Sequence, residues 1–239
     1  MARLERSVTE SPPPFLYFRQ ITAEGLEFSY PGQSSEPGFK VGPIDLTIRR
    51  GSTVFITGGN GSGKSTFLRV LSGLYPPNSG EITLDGVRID DHNRDTYRGL
   101  MSAIFFDYHL FQRLYGIPEG GAAELARLLA QFRLSDKTGL VDGEFRTLDL
   151  SGGQRRRLAL IVSLLEKRPI LLLDEWTAEQ DPEFRRKFYD ELLPDLMAAG
   201  ATIVVITHDD RYLDELTLRA RRVRMDEGRV VEQRTMNMG

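Results

Sequence analysis

Nine residues, Gly58-Gly-Asn-Gly-Ser-Gly-Lys-Ser-Thr66, restrict what this chain can fold into more than any other stretch. They fit the pattern G-x-x-x-x-G-K-S/T, with Gly58, Gly63, Lys64 and Ser65 in the fixed places. The run before them, Ser52-Thr-Val-Phe-Ile-Thr57, is β-branched and largely apolar, which predicts a buried strand. The run after them, Phe67-Leu-Arg-Val-Leu-Ser-Gly73, spaces its apolar residues for a helix and stops at a glycine. Strand, glycine loop and helix in unbroken succession are the context the pattern needs.

The physical purpose of such a loop is specific. Glycines let the backbone curl until successive N–H groups point inward as an anion nest, and the helix N-terminus adds positive potential. Gly59, Gly61 and Ser62 widen the choice of backbone angles between the fixed ends. In this arrangement Lys64 reaches the β- and γ-phosphates of a nucleotide and the Ser65 hydroxyl ligates Mg²⁺. The expected phosphate-binding segment is therefore Gly58, Gly59, Asn60, Gly61, Ser62, Gly63, Lys64, Ser65 and Thr66.

The 239 residues suffice for one large α/β domain, or for one with a small inserted lobe. A net charge of −3 gives no reason to expect nucleic acid or an anionic membrane surface as the main partner. With no cysteine there is neither a disulfide framework nor a thiolate metal site. No apolar run approaches the roughly 20 residues of a membrane span, and the first ten residues lack a signal-peptide core. The expectation is a soluble, cytoplasmic chain.

Residues 1–20 read as a leader or linker, charged and then rich in proline. Strands are expected at Ile21–Tyr30, Ile44–Ile48 and Leu100–Phe106, with a hairpin of Glu81–Leu84 and Val87–Ile89. Residues 107–167 read as an inserted helical part without a strand, with helices at about 118–132 and 152–167. Pro194 should break or kink the helix that begins after Asp181-Pro182, and residues 219–232 form a last hairpin. The core is then 21–106 plus 168–239, within a domain spanning 21–239.

Two further constellations carry chemistry. Ile170-Leu-Leu-Leu173 is an all-apolar run, as expected at the centre of a parallel sheet, and it ends in Asp174-Glu175. Asp174 is suited to hold a Mg²⁺ shell opposite Ser65, and Glu175 to orient a water in line with a γ-phosphate. Leu150-Ser-Gly-Gly-Gln154 starts a helix whose dipole faces an anion, with Ser151 as its cap. An ordinary capped helix start explains the serine, but not Gly152 and Gly153 followed by Gln154. The two glycines would let another molecule's backbone or phosphate approach closely.

Taken together, these motifs resemble the nucleotide-binding domain of ATP-binding cassette (ABC) transporters, from about Ile21 to Glu232. The resemblance implies an α/β fold of the P-loop NTPase ABC-cassette kind: a parallel core sheet flanked by helices, an antiparallel β subdomain and an inserted helical subdomain. It implies that Tyr30 stacks on adenine, that His208 touches the γ-phosphate, and that Glu175 and His208 are catalytic. It further implies that two such domains pair head to tail around two MgATP, with Ser151, Gly152, Gly153 and Gln154 of one facing the phosphate held by the other. A transmembrane permease domain, fused or separate, would be the second partner, at the cytoplasmic face of the membrane.

The chain departs from the family pattern at three places. Asp107 stands where a glutamine is usual and is the expected further Mg²⁺ contact; Ala178-Glu-Gln-Asp181 replaces the usual Ser-Ala-Leu-Asp; and the inserted part is compact. Asp107, Trp176 and Glu179-Gln-Asp-Pro182 together resemble the bacterial cyclic-peptide and siderophore-peptide exporters, in which the membrane domain usually precedes the ATPase. The leader would then be an interdomain linker. The aromatic residues Phe105, Phe106, Tyr108, Phe111 and Tyr115 read equally as core packing or as a groove for a membrane-domain helix. A soluble ABC ATPase acting on ribosomes or DNA is the alternative, against which stand the single cassette, the absence of heptads and the lack of basic excess. A P-loop kinase or GTPase does not account for Leu150–Gln154.

Overall fold

The computed structural model describes residues 17–31, 38–115, 121–209, 212–213 and 220–236. Most of the leader, Gly32, Pro118, Asp210 and Arg219 lie outside the described residues. Among the described residues, twelve strands fall into three sheets. β1 (Gln20–Ser29), β2 (Lys40–Arg49), β4 (Ser79–Leu84) and β5 (Val87–Arg88) make an antiparallel sheet in the order β2-β1-β4-β5. The main sheet has the order β12-β11-β3-β10-β9-β6 and takes in β3 (Thr53–Thr57), β6 (Met101–Ile104), β9 (Ile170–Asp174), β10 (Thr202–Ile206), β11 (Ala220–Asp226) and β12 (Arg229–Met236). All its pairings are parallel except that of the edge strand β12.

The alternation of side chains along a strand divides the core in two. Val54 and Ile56 of β3 face a cluster with Phe67, Leu68, Val70 and Leu71 of α1 (Lys64–Leu71), roofed by Ile21 and Leu46 of the antiparallel sheet. Phe55 faces the opposite cluster, with Leu158, Ile161 and Leu165 of α4 (Gly152–Leu165) and with Trp176 and Phe188. Each such side chain moved out of water contributes about 1.5–3 kcal/mol, which is why β3, β9 and β10 are buried along their whole lengths. α1 ends where expected: Gly73 takes a left-handed φ of 73°, and the N–H of Leu74 closes back on the carbonyl of Arg69.

The inserted part holds α3 (Gly121–Gln131), whose Leu125, Leu128 and Leu129 join the α4 side of the core. Contrary to the sequence expectation, this part contains a strand pair, β7 (Leu140–Val141) with β8 (Glu144–Phe145). Asp142 and Gly143, both with positive φ, supply the tight turn. α2 (Arg94–Arg98) leads into β6. The helix after Asp181 is not broken at Pro194. α5 (Pro182–Lys187) continues through a wider π turn, Phe188–Leu192, into α6 (Leu193–Ala198). The wider turn accommodates the missing N–H and the ring of Pro194, which a regular α-turn would not. Among the described residues, no helix is long and apolar enough to cross a membrane.

Candidate functional site

β3, β10 and β9 are adjacent and parallel, so their carboxyl ends bring Thr57, Ile206 and Asp174 to one edge. Ligands of open α/β sheets are held at this edge. The glycine loop leaves β3 here, and Gly58 shows why the first position must be glycine. Its φ is 142°, and a Cβ would lie 2.1 Å from the Met225 carbonyl oxygen of β11. α1 then starts directly at Lys64, with its N-cap Gly63 in the left-handed region and no side chain over its first N–H groups. The loop thus presents bare amides and the positive end of the helix to a cleft of about 530 Å³ lined by Asn60, Gly61, Lys64, Ser65, Phe106 and Glu175.

Lys64 is buried, and its Nζ donates to the carbonyls of Gly58 at 3.1 Å and Gly59 at 2.8 Å. Burial lowers its pKa, while the charges of Glu175 and Asp174 act in the opposite sense. The Ser65 hydroxyl donates to Oδ1 of Asp174 at 2.9 Å. Burial raises the pKa of Asp174, and the Ser65 hydrogen bond offsets this in part. Oδ2 of Asp174 is buried without a hydrogen-bond partner. An orphaned carboxylate oxygen beside a hydroxyl on a phosphate loop fits a hard divalent cation, which takes one or two carboxylates and completes its shell with phosphate oxygens and water.

Glu175 follows β9 with a left-handed backbone, φ 50° and ψ 36°. Such a conformation costs a non-glycine residue about 1–3 kcal/mol and persists only where the surroundings fix it. Here the N–H of Glu175 donates to the Ile206 carbonyl at 3.0 Å, and its carbonyl accepts from Ala178 N at 3.1 Å and from Arg156 Nη1 at 2.8 Å. The side chain this sets free meets His208, whose Nε2 lies 2.9 Å from Oε1. His208 itself lines a neighbouring cavity of about 700 Å³, behind Gly58 and Gly59, together with Arg222 and Arg224.

The other expected site residues are placed as follows. The Tyr30 hydroxyl lies 3.3 Å from Thr66 Oγ1, and its ring packs edge-on against Phe28 and Tyr75. Asp107 is exposed and engaged by Arg69 at 2.9 Å; its neighbour Phe106, not Asp107, lines the cleft beside Lys64. Ser151 caps α4 in a full capping box with Gln154, away from that cleft. A side chain at Gly152 or Gly153 would run into this chain's own turn at Glu179, although both glycines are themselves only partly buried. A Cβ on Gly152 would lie 2.5 Å from Oε2 of Glu179, and one on Gly153 would lie 2.6 Å from the Glu179 carbonyl oxygen. The aromatic run is divided: Phe106, Phe111 and Tyr115 are exposed, whereas Phe105 and Tyr108 pack partly into the core.

Sequence reasoning missed Arg156 and Glu179. Arg156 is 1% exposed although it sits in a run of three arginines, which reads as a solvated helix face. Its only sequence signal was a position two turns of packing would bury, between Gly153 and Leu160 on the inward side of α4.

A phosphate cradle on the central strand of a parallel sheet, faced by an acidic strand end, makes this a P-loop nucleoside triphosphatase. Comparison with known proteins narrows the class. Residues 41–178 match the family described as "ABC transporter". The chain is 48% identical over 196 residues to the ATP-binding protein SyrD of Pseudomonas syringae pv. syringae, which covers 80% of this chain but only 35% of SyrD. It is 32% identical over 219 residues to the glutamine transport ATP-binding protein GlnQ of Escherichia coli K12, covering 87% of this chain and 90% of GlnQ. The fold matches the dimeric bacterial ABC transporter cassette MJ0796 at a TM-score of 0.73 and 24% identity, covering 90% of this chain and 98% of that one. The chain belongs to the ABC transporter family, as its ATP-hydrolysing cassette.

Proposed function

We propose that this cassette binds MgATP between two copies arranged head to tail and uses its hydrolysis to drive export across a membrane. The observation that carries the reading is the pairing of Ser65 with Asp174 and of Glu175 with His208, with Ser65 and Glu175 lining the cleft at Lys64 and the capped end of α4 outside its lining. One copy then grips the triphosphate, and the Ser151–Gln154 end of the second closes over it. Two similarities support the pairing and the export: one to the dimeric MJ0796 cassette, and one to a bacterial Atm1-family ABC exporter with ATP bound (TM-score 0.71, 25% identity, 90% of this chain and 39% of that one).

In this mechanism Lys64 leaves the carbonyls of Gly58 and Gly59 for the β- and γ-phosphate oxygens, and Tyr30 lies against the adenine. Ser65 and Asp174 would hold a divalent cation, which would neutralise charge on the phosphates. Asp107 would have to release Arg69 to contribute as well. Glu175 accepts a hydrogen bond from, and so orients, a water in line with the γ-phosphate, and His208 steadies the Glu175 carboxylate and the phosphate. The second partner is a transmembrane permease domain, fused or separate, at the cytoplasmic face of the membrane, and residues 107–167 transmit the closure to it. Export of a peptide or siderophore-like substrate follows the subfamily resemblance at Asp107, Trp176 and Glu179–Pro182.

Replacing Glu175 with Gln tests the assignment. The variant is expected to bind ATP, lose most turnover and elute as a dimer in size-exclusion chromatography with MgATP. Parental turnover in that variant would overturn the role given to Glu175, and a monomer at saturating MgATP would overturn the pairing. Transport of a labelled peptide into inverted vesicles carrying the full open reading frame tests the direction.

A further inference from the structure

The three consecutive arginines Arg155-Arg156-Arg157 in the first turns of α4 part ways. Arg155 is exposed. Arg157 pairs with Asp181 and lies over the Phe184 ring, 3.6 Å from its centroid. Arg156 is taken out of water altogether, and a guanidinium is not buried without partners that hold it. Its Nη1 donates to the Glu175 carbonyl at 2.8 Å and its Nη2 to Oε1 of Glu179 at 3.2 Å. Its charge lies over the rings of Phe106, 5.1 Å away, and Tyr108, 5.8 Å away. The Trp176 indole donates to the Arg156 carbonyl at 2.9 Å, which ties the helix back to the residue after Glu175.

We propose that Arg156 is a positioning residue for ATP hydrolysis: it fixes the left-handed main chain of Glu175 and so aims the Glu175 carboxylate. The inference rests on the reading of Glu175 as the residue that orients water. The Glu175 peptide is held on its N–H side by β10 and on its carbonyl side by Arg156 and the turn it starts. A side chain on a residue so strained follows its backbone, and among the described residues His208 is the hydrogen-bond partner of the carboxylate. Arg156 also joins three regions that the chain separates widely: α4, the turn after β9, and the segment at Phe106 that lines the cleft. A rotation of α4 would therefore reach the Glu175 carbonyl through one rigid fork. The pairing of Arg156 with Glu179 occupies its second arm, so the two arms can be tested apart.

The test measures ATP turnover of the full chain with Arg156→Lys, Arg156→Met and Glu179→Gln, each also combined with Glu175→Gln and each checked for folding by thermal melting. A residue acting through Glu175 should lower kcat by about tenfold or more and leave the KM for ATP within about twofold. In the Glu175→Gln background, followed at stoichiometric enzyme, Arg156→Lys should cause no further loss, because there is no base left to aim. Glu179→Gln, which spares the Glu175 arm, should keep kcat within about threefold of the parent. Equal losses in both backgrounds, or an effect on KM alone, would overturn the role of Arg156 and leave Glu175 untouched. Parental turnover in Glu175→Gln alone would instead remove the reading of Glu175, and this inference with it. Should Arg156→Met not fold, Arg156→Lys carries the same comparison.

Discussion

Ser65 and Asp174, 109 residues apart, are joined by a hydrogen bond of 2.9 Å that satisfies one carboxylate oxygen and strands the other. A buried carboxylate left half paired is a cost the apo protein carries for its ligand. Asp174→Asn removes the charge and keeps the acceptor for Ser65. Its melting temperature without nucleotide should equal or exceed the parent's, by the equivalent of about 1 kcal/mol. The added stability at a hundredfold excess of MgATP over its dissociation constant, about 2.7 kcal/mol in the parent, should largely vanish. Scanning calorimetry with and without MgATP measures both.

Lys64 makes the complementary case. Its ammonium is satisfied by two loop carbonyls, so Lys64→Met should leave the apo fold near the parent's stability. Each charge-assisted hydrogen bond to phosphate is worth about 1.5–3 kcal/mol. ATP affinity should therefore fall by about tenfold to a few hundredfold. Equilibrium titration with a fluorescent ATP analogue reads the loss; an affinity within about twofold of the parent would contradict the geometry.

Which parts of this were legible in the sequence follows from the range of each signal. The phosphate loop, β9 with its acidic end and the capped start of α4 are written in consecutive residues, so local pattern suffices. The β7–β8 pair was missed although Asp142-Gly143 is a strong turn dipeptide, because strands of two residues are too short to show alternation. Pro194 marked a disturbance of the helix, but the form it takes, a π turn at Phe188–Leu192 in an unbroken helix, leaves no periodic trace in the sequence. Arg156 was not singled out because its partners at Phe106, Glu175 and Glu179 come from three other segments, and side-chain burial of that kind is decided by tertiary packing alone. The expectation for Asp107 rested on resemblance alone; its contact with Arg69, 38 residues earlier, is a tertiary pairing without a local signal.

Gly152 and Gly153 differ in what opposes them, and substitution should reveal it. A Cβ on Gly152 meets the tip of the Glu179 side chain, which can swing away. Alanine there also gains helix propensity of about 1 kcal/mol, so Gly152→Ala should be close to neutral in urea unfolding. A Cβ on Gly153 meets the main-chain oxygen of Glu179, which cannot move without the turn. Gly153→Ala should destabilise by about 1–3 kcal/mol, the usual cost of overpacking. Equal stabilities of the two variants would show that the turn at Glu179 yields.

Asp181 yields a prediction in pH. Its Oδ1 caps α5 by accepting from Phe184 N at 2.9 Å, and Arg157 donates to its other oxygen. The cap bond first, and the Arg157 pair second, hold the carboxyl below its ordinary pKa. A depressed value means that the folded state favours the charged form. The resulting stability is present in full above the unfolded value of about 3.9 and is lost as pH falls toward the folded value. Asp181→Asn keeps a capping acceptor and removes only the charge. The carboxylate is 53% exposed, so solvent screening limits the expected deficit of the variant at neutral pH to about 0.5–1 kcal/mol. Urea midpoints of parent and variant should stay separated from pH 7 down to about 4 and converge below it. A separation that persists unchanged to about pH 3 would mean that the shape of the side chain, not its charge, stabilises the start of α5.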